Sequence, residues 1–187
     1  MTRHSSTLLA MLVIVGGMAC AVEAPPFDIG GRDPARVVLD ATGHVMDRGS
    51  TLGDGPDVTR LDPALLAALE RAAADAEEDG IRLHVNSGWR SADHQARLLA
   101  DAIDQYGSAA EAARWVATPE TSVHVSGKAV DIGPTGAAAW LSRHGAGFGL
   151  CQVYDNEPWH FELRDDAAVD GCPSTYADPT QDPRMQP

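Results

Sequence analysis

Residues 59–80, TRLDPALLAALERAAADAEEDG, constrain the fold more than any other stretch of the chain. Asp62 is a natural N-cap, Pro63 suits a first turn, and Leu65, Leu66, Leu69, Ala72 and Ala73 recur at helical spacing. Gly80 supplies the stop. The chain then runs directly into IRLHVNSG (81–88), where Ile81, Leu83 and Val85 alternate as a strand with one buried face requires. A helix with one apolar stripe beside a strand with one apolar face has to bury the two against each other. Later segments repeat the pattern. SADHQARLLADAIDQYG (91–107) predicts a helix capped by Ser91, and a third helix follows from about residue 108 to 116. A loop, TPETSVHVSG (118–127), leads to a short strand, KAVDIG (128–133), and PTGAAAWLSRHG (134–145) is helical again. GLCQVYD (149–155) and WHFEL (159–163) read as paired strands joined through residues 156–158. The expected class is α+β, with helices packed on a small antiparallel sheet.

The flanks read differently. Residues 1–24 have the form of an export signal, with Arg3 at the start, an apolar run TLLAMLVIVGGMA (7–19), and cleavage after Ala21 or Ala24. GMAC offers a second reading, lipidation of Cys20, although Gly17 stands where such sites usually carry Leu. The run is shorter and richer in glycine than the about 20 apolar residues a bilayer span needs. Residues 25–58 are a lead-in that contains a short strand candidate, ARVVLD (35–40). The domain itself is expected over 59–172, and the Pro-rich 173–187 as a disordered tail. With Cys20 removed or lipidated, Cys151 and Cys172 remain as a pair. In an oxidising compartment they are expected to form a disulfide; the alternative is two buried thiols. A net charge of −13 argues against nucleic acid and against a basic face docking on anionic lipid. The expected location is secreted or at the extracytoplasmic cell surface, any membrane link running through Cys20, and a monomer is expected.

Two short strands carry the chemistry. In WHFEL, Trp159, Phe161 and Leu163 share the core face, so His160 points the other way. In KAVDIG, Val130 and Ile132 share the core face, so Asp131 points away from it. His124 lies seven residues before Asp131, in a loop. His124, Asp131 and His160 make a set suited to Zn²⁺, which takes imidazole and carboxylate ligands and, in catalytic sites, keeps a place for water. Glu157 is an odd number of residues from His160, but Pro158 cannot donate a ladder hydrogen bond. The strand therefore starts after Pro158, and Glu157 belongs to the preceding turn, where a general base for a metal-bound water is needed. Taken singly, each of these residues has a bland alternative as a surface, capping or turn residue.

SGWRSADHQ (87–95), SVHVSGKAVD (122–131) and EPWHFE (157–162) resemble, in this order, three signatures of the VanY-type zinc D-alanyl-D-alanine carboxypeptidases. That family is related to the D-Ala-D-Ala dipeptidases and to the zinc-binding domain of Hedgehog proteins. The resemblance covers about residues 60–164 and implies a Hedgehog/DD-peptidase-like fold acting on peptidoglycan stem peptides. It implies that His124, Asp131 and His160 ligate Zn²⁺, that Glu157 is the general base and then the proton donor, and that Arg90 binds substrate and polarises the scissile carbonyl. Gln95 and Ser122 are implied as supporting or substrate-binding residues. Two departures stand out. Val123 and Glu162 occupy positions where the family often has Glu and Arg, and both are expected to alter substrate contacts. The activity expected is removal of the terminal D-Ala. The alternatives are D-Ala-D-Ala dipeptidase or L-Ala-D-Glu endopeptidase action, or a non-catalytic zinc module that binds cell-wall peptide.

Overall fold

The computed structural model describes residues 52–53 and 55–186. The export signal, Cys20, and almost all of the lead-in with its strand candidate lie outside the described residues. Among the described residues, no helix is long and apolar enough to cross a membrane.

A single turn, α1 (Pro56–Thr59), precedes the long helix α2 (Pro63–Glu78). Asp62 caps α2 by accepting from the Ala64 and Leu65 amides at 2.9 and 3.4 Å. Leu65, Ala68, Leu69, Ala72, Ala73 and Ala76 form its buried stripe. After β1 (His84–Ser87) comes α3 (Ala92–Tyr106), capped by Ser91 and closed by Gly107 at φ 79°. The expected third helix is one turn, α4 (Ala109–Ala112), continued by turns to Val116. β2 (Ala129–Gly133) leads into α5 (Thr135–His144), then β3 (Leu150–Gln152), β4 (His160–Leu163) and the short α6 (Ala167–Asp170).

The four strands pair in the order β1-β2-β4-β3, every pair antiparallel. α2 and α5 cover one face, burying Val85, Val130, Ile132, Leu150 and Phe161 in the main core. A second small cluster, Leu98, Ala102, Ala112 and Val116, joins α3 to α4, with Tyr106 stacked on Trp115 at 5.8 Å. Trp159 departs from the expected core alternation: β4 begins only at His160, and Trp159 lines a cleft instead.

Register places the polar residues in one row. Asp131 pairs with His160 on β4 and with Ser87 on β1. A bulge between Val85 and Ser87 puts Ser87, rather than Asn86, opposite Asp131. Segment 55–62 braces the loops behind this row. The Trp89 amide donates to Asp57 O at 2.7 Å, the Asp62 amide to Gly127 O at 2.8 Å, and Arg60 lies over the Trp89 ring at 4.4 Å. The approach is close enough that a Cβ at Gly88 would stand 2.2 Å from Asp57 O, and one at Gly127 2.6 Å from Arg60 O.

The tail corrects an expectation. Residues 173–186 are not disordered but form an ordered strap across the polar face of the sheet. Tyr176 bridges Tyr154 in parallel, and Asp178 and Asp182 are 5 % and 0 % exposed. The physical reason is local. Asp178 and Asp182 each precede a proline and accept from the amide two residues on, so each caps a short 3₁₀ turn. The same Asp-Pro steps that read as disorder are therefore helix starts.

Cys151 and Cys172 are bonded, with Cα atoms 5.5 Å apart, and tie β3 to the start of the strap. The bridge spans 21 residues and encloses Glu157 and His160. Cys172→Ser should cost roughly 3 kcal/mol of unfolding free energy in the chain-entropy view. Denaturant titration of oxidised parent and variant measures it, and no loss would mean that the strap and β4 hold without the link.

Candidate metal centre

Asp131 and His160 face each other across the β2–β4 pair, and the 118–127 loop folds His124 over both. His124 Nε2 lies 3.2 Å from His160 Nδ1 and 3.4 Å from Asp131 Oδ1, and His160 Nδ1 is 3.3 Å from Asp131 Oδ1. All three residues are buried. They are the group of His, Cys, Asp and Glu side chains among the described residues placed to hold a metal ion. Ligands about 2.0–2.1 Å from zinc at tetrahedral angles stand about 3.4 Å from one another, the spacing found here.

Hydrogen bonds on the far side of each ring assign the tautomers. His124 Nδ1 donates to Gly88 O at 2.8 Å, which leaves Nε2 with its lone pair inward. His160 Nε2 donates to Glu162 Oε1 at 3.3 Å, which leaves Nδ1 inward. Two imidazole lone pairs and a carboxylate oxygen then converge in a buried space, and such a cluster demands a positive charge at its centre. The proton affinities say the same. Burial pushes the Asp131 carboxyl up, but His124, His160 and Arg90 outweigh it and hold the group well below the usual carboxylate range. Burial lowers His160, yet hydrogen bonds to Asp131 and Glu162 and the charges of Asp131 and Glu157 overcome it and raise the ring to about 10. His124 is lowered, by burial first and then by Arg90. Without a cation, a proton is drawn into the cluster; a metal ion takes its place.

Glu157 sits beside the trio. Its Oε2 is 4.0 Å from His160 Nδ1, and its buried Oε1 has no hydrogen-bond partner. Burial, opposed by His160 and aided by Asp131, pushes the carboxyl up to about 8. It occupies the turn before β4, as its position ahead of Pro158 predicts, and the His160 amide donates to Glu157 O at 3.0 Å to close that turn.

Arg90 follows the bulged end of β1. Its Nε donates to Ser87 Oγ at 2.8 Å, Nη1 to Gln95 Oε1 at 3.3 Å, and Nη2 to Asp131 Oδ2 at 2.6 Å. These three bonds use three of the five guanidinium N–H groups, which leaves two for an oxygen in the cleft. Gln95 is fully buried and engaged at both ends, its Nε2 donating to Ala117 O at 2.8 Å. It therefore orients Arg90 rather than reaching outward. Ser122 is buried on the wall of the cleft, in the turn where the Val125 amide donates to its carbonyl. Trp115, Trp159, Tyr154 and, from the strap, Pro179 and Met185 complete the walls.

Glu162 differs from expectation. It does not line the cleft but lies next to His160, on the Nε2 side of the ring, and is 2 % exposed. Its Oε2 accepts from Arg164 at 2.8 Å and Arg184 at 2.7 Å. The spacing of two from His160 on one strand is the signal that places both on the same face. Arg184 carried no such signal.

Two strands and the 118–127 loop bring two imidazoles and an aspartate together beside a glutamate with one unpartnered carboxylate oxygen, an arrangement that fits a mononuclear metal centre with an open side. The chain belongs to the VanY D-alanyl-D-alanine carboxypeptidase family, whose model matches residues 58–165. A D-alanyl-D-alanine carboxypeptidase of Enterococcus faecalis is 30 % identical over 127 residues, covering 54 % of this chain and 47 % of that protein. The chain thus spans about half the length of this curated relative. Among solved structures, VanYB in complex with D-alanine-D-alanine is 26 % identical, with TM-score 0.57 over 71 % of this chain and 89 % of that one. A zinc-bound variant of the D,D-pentapeptidase VanY from a VanB-type vancomycin-resistance cassette is 25 % identical. Its TM-score is 0.54, over 70 % of this chain and 81 % of that one. The LD-carboxypeptidase LdcB shares the fold, at 22 % identity and TM-score 0.54, over 63 % of this chain and 66 % of that one.

Proposed function

We propose that this chain is a zinc-dependent D,D-carboxypeptidase that releases the terminal D-Ala from peptidoglycan stem peptides. The observation that carries the reading is the unbonded Glu157 oxygen in the cleft next to the His124, Asp131 and His160 trio. A purely structural zinc site is closed by a fourth ligand and has no use for a free carboxylate at that place. The zinc and the D-alanine-D-alanine bound by the VanY-type neighbours support both the ion and the substrate class.

His124, Asp131 and His160 would hold the ion. The chemistry it supplies when bound is Lewis acidity at the scissile carbonyl and a more acidic water. Glu157 takes a proton from the attacking water as the new C–O bond forms. It returns that proton to the leaving amine as the C–N bond breaks, so the site ends as it began. Gln95 and Ser87 hold the Arg90 guanidinium in place, and its two remaining N–H groups meet the substrate's carbonyl or terminal carboxylate. Trp115, Trp159, Pro179 and Met185 give the cleft apolar walls suited to the small methyl side chains of alanine. The export signal, with release or a lipid anchor at Cys20, would bring the chain to the compartment where such stems are found, where it would act as a monomer.

Mass spectrometry of the products from a synthetic pentapeptide stem tests the proposal. Free D-Ala, formed only without chelator, is the expected product. D-Ala-D-Ala dipeptide or internal cleavage would move the reading to a dipeptidase or an endopeptidase, and no turnover to a peptide-binding module.

A further inference from the structure

Each of the three inward-facing ligands has an outer partner. Gly88 O holds His124, and Arg90 holds Asp131; both come from the loop after β1. The partner of His160 is Glu162, and its support comes from elsewhere. Arg184, near the end of the strap, gives Glu162 two hydrogen bonds, Nη1 to Oε2 at 2.7 Å and Nη2 to Oε1 at 3.3 Å. Arg184 is itself held by Asp182, whose Oδ1 accepts from its Nε at 3.0 Å and whose Oδ2 accepts from its Nη2 at 2.5 Å. Tyr154 donates to Asp182 Oδ2 at 3.0 Å, and the Tyr154 ring lies 5.2 Å from the His160 ring. The strap thus closes a continuous polar circuit behind one imidazole.

Burial makes the circuit consequential. Glu162 is 2 % exposed, and both of its oxygens accept from arginines, Oε2 from Arg164 and Arg184 and Oε1 from Arg184. Held in this way, Oε1 faces His160 Nε2 as an acceptor, so the ring donates from Nε2 and turns Nδ1 toward Asp131 and His124. We propose that Arg184 is a positioning residue of the metal centre: acting through Glu162, it fixes the tautomer and orientation of His160. The C-terminal strap, residues 173–186, is on this account part of the site. The proposal rests on the reading of the trio as a metal centre.

A strap that only added stability would behave differently, and Arg114 provides the contrast. It anchors the other end of the strap through Asp178, Nε to Oδ2 at 3.0 Å, and has no bond to Glu162 or His160. The experiment measures zinc affinity of the full chain by competition with a chromophoric chelator, for folded parent, Arg184→Ala, Arg184→Lys, Glu162→Gln and Arg114→Ala. Arg184→Ala should weaken zinc about 10–100-fold, Arg184→Lys should recover part of that loss, and Glu162→Gln, which is isosteric, should weaken it about 10-fold. Arg114→Ala should bind zinc within about twofold of parent even where its Tm falls. The visible spectrum of the cobalt(II)-loaded protein should change in Arg184→Ala and not in Arg114→Ala. Parent-like zinc affinity in both Arg184→Ala and Glu162→Gln overturns the proposal, as does an equal loss in Arg114→Ala. Those results leave the metal centre standing, whereas a parent chain that binds no zinc removes both.

Discussion

Glu157→Gln should retain its metal and lose at least about 10²-fold in turnover of a stem peptide. The substitution keeps the size and shape of the side chain but removes the proton acceptor. Glu157 lies outside the proposed ligand trio, so its replacement leaves all three proposed ligands in place. The metal-free protein supplies a second readout. Burial pushes the Glu157 carboxyl up to about 8, so the native state takes up a proton that the unfolded state releases near its ordinary value. Native stability then falls as pH rises between those two values, and the glutamine variant lacks that contribution. Its unfolding free energy should depend less on pH across the window and be no lower than that of the parent. Steady-state rates, metal content and denaturant titrations at several pH values check this. Parent-like turnover with metal bound would remove Glu157 from the chemistry.

Asp131→Ala should abolish metal binding and turnover and cost roughly 3–5 kcal/mol of stability. Asp131 is 1 % exposed and is the hub of the site, meeting His124, His160 and Arg90 at once. Its removal takes away one proposed ligand and leaves the Arg90 guanidinium, 9 % exposed, without its carboxylate. Breaking such a buried pair is far more costly than losing a surface one. Asp131→Asn separates the two effects. It fills the same space and can still accept from Arg90, so it should lose metal with a smaller loss of stability. Metal content and denaturant midpoints measure both variants; a metal-loaded Asp131→Ala would show that the ion sits elsewhere.

The parts of this structure that were legible in sequence are those governed by local rules. Asp62, Ser91 and Gly107 mark helix ends that the structure keeps within a residue or two. The two-residue period placed Asp131 and His160 on the face opposite Val130 and Phe161, and Pro158 set the start of β4. What escaped depended on contacts distant in sequence. No local pattern shows that a bulge puts Ser87 opposite Asp131 and beside Arg90. Gln95 orients Arg90 only because α3 packs where it does. Sequence alone points Glu162 at substrate contacts, but its carboxylate accepts from an arginine 22 residues away, in a segment whose proline content suggests disorder. The repeated Asp-Pro steps at 178–179 and 182–183 were the available clue to that segment's order.

Whether one ion is held by His124, Asp131 and His160 can be read from the anomalous-scattering density of zinc-loaded crystals, collected on either side of the zinc absorption edge. A single peak is expected at about 2.0–2.2 Å from His124 Nε2, Asp131 Oδ1 and His160 Nδ1, with Glu157 next to it and unligated. A crystal with no peak there, or one in which the ion is bound by other side chains, would contradict that expectation.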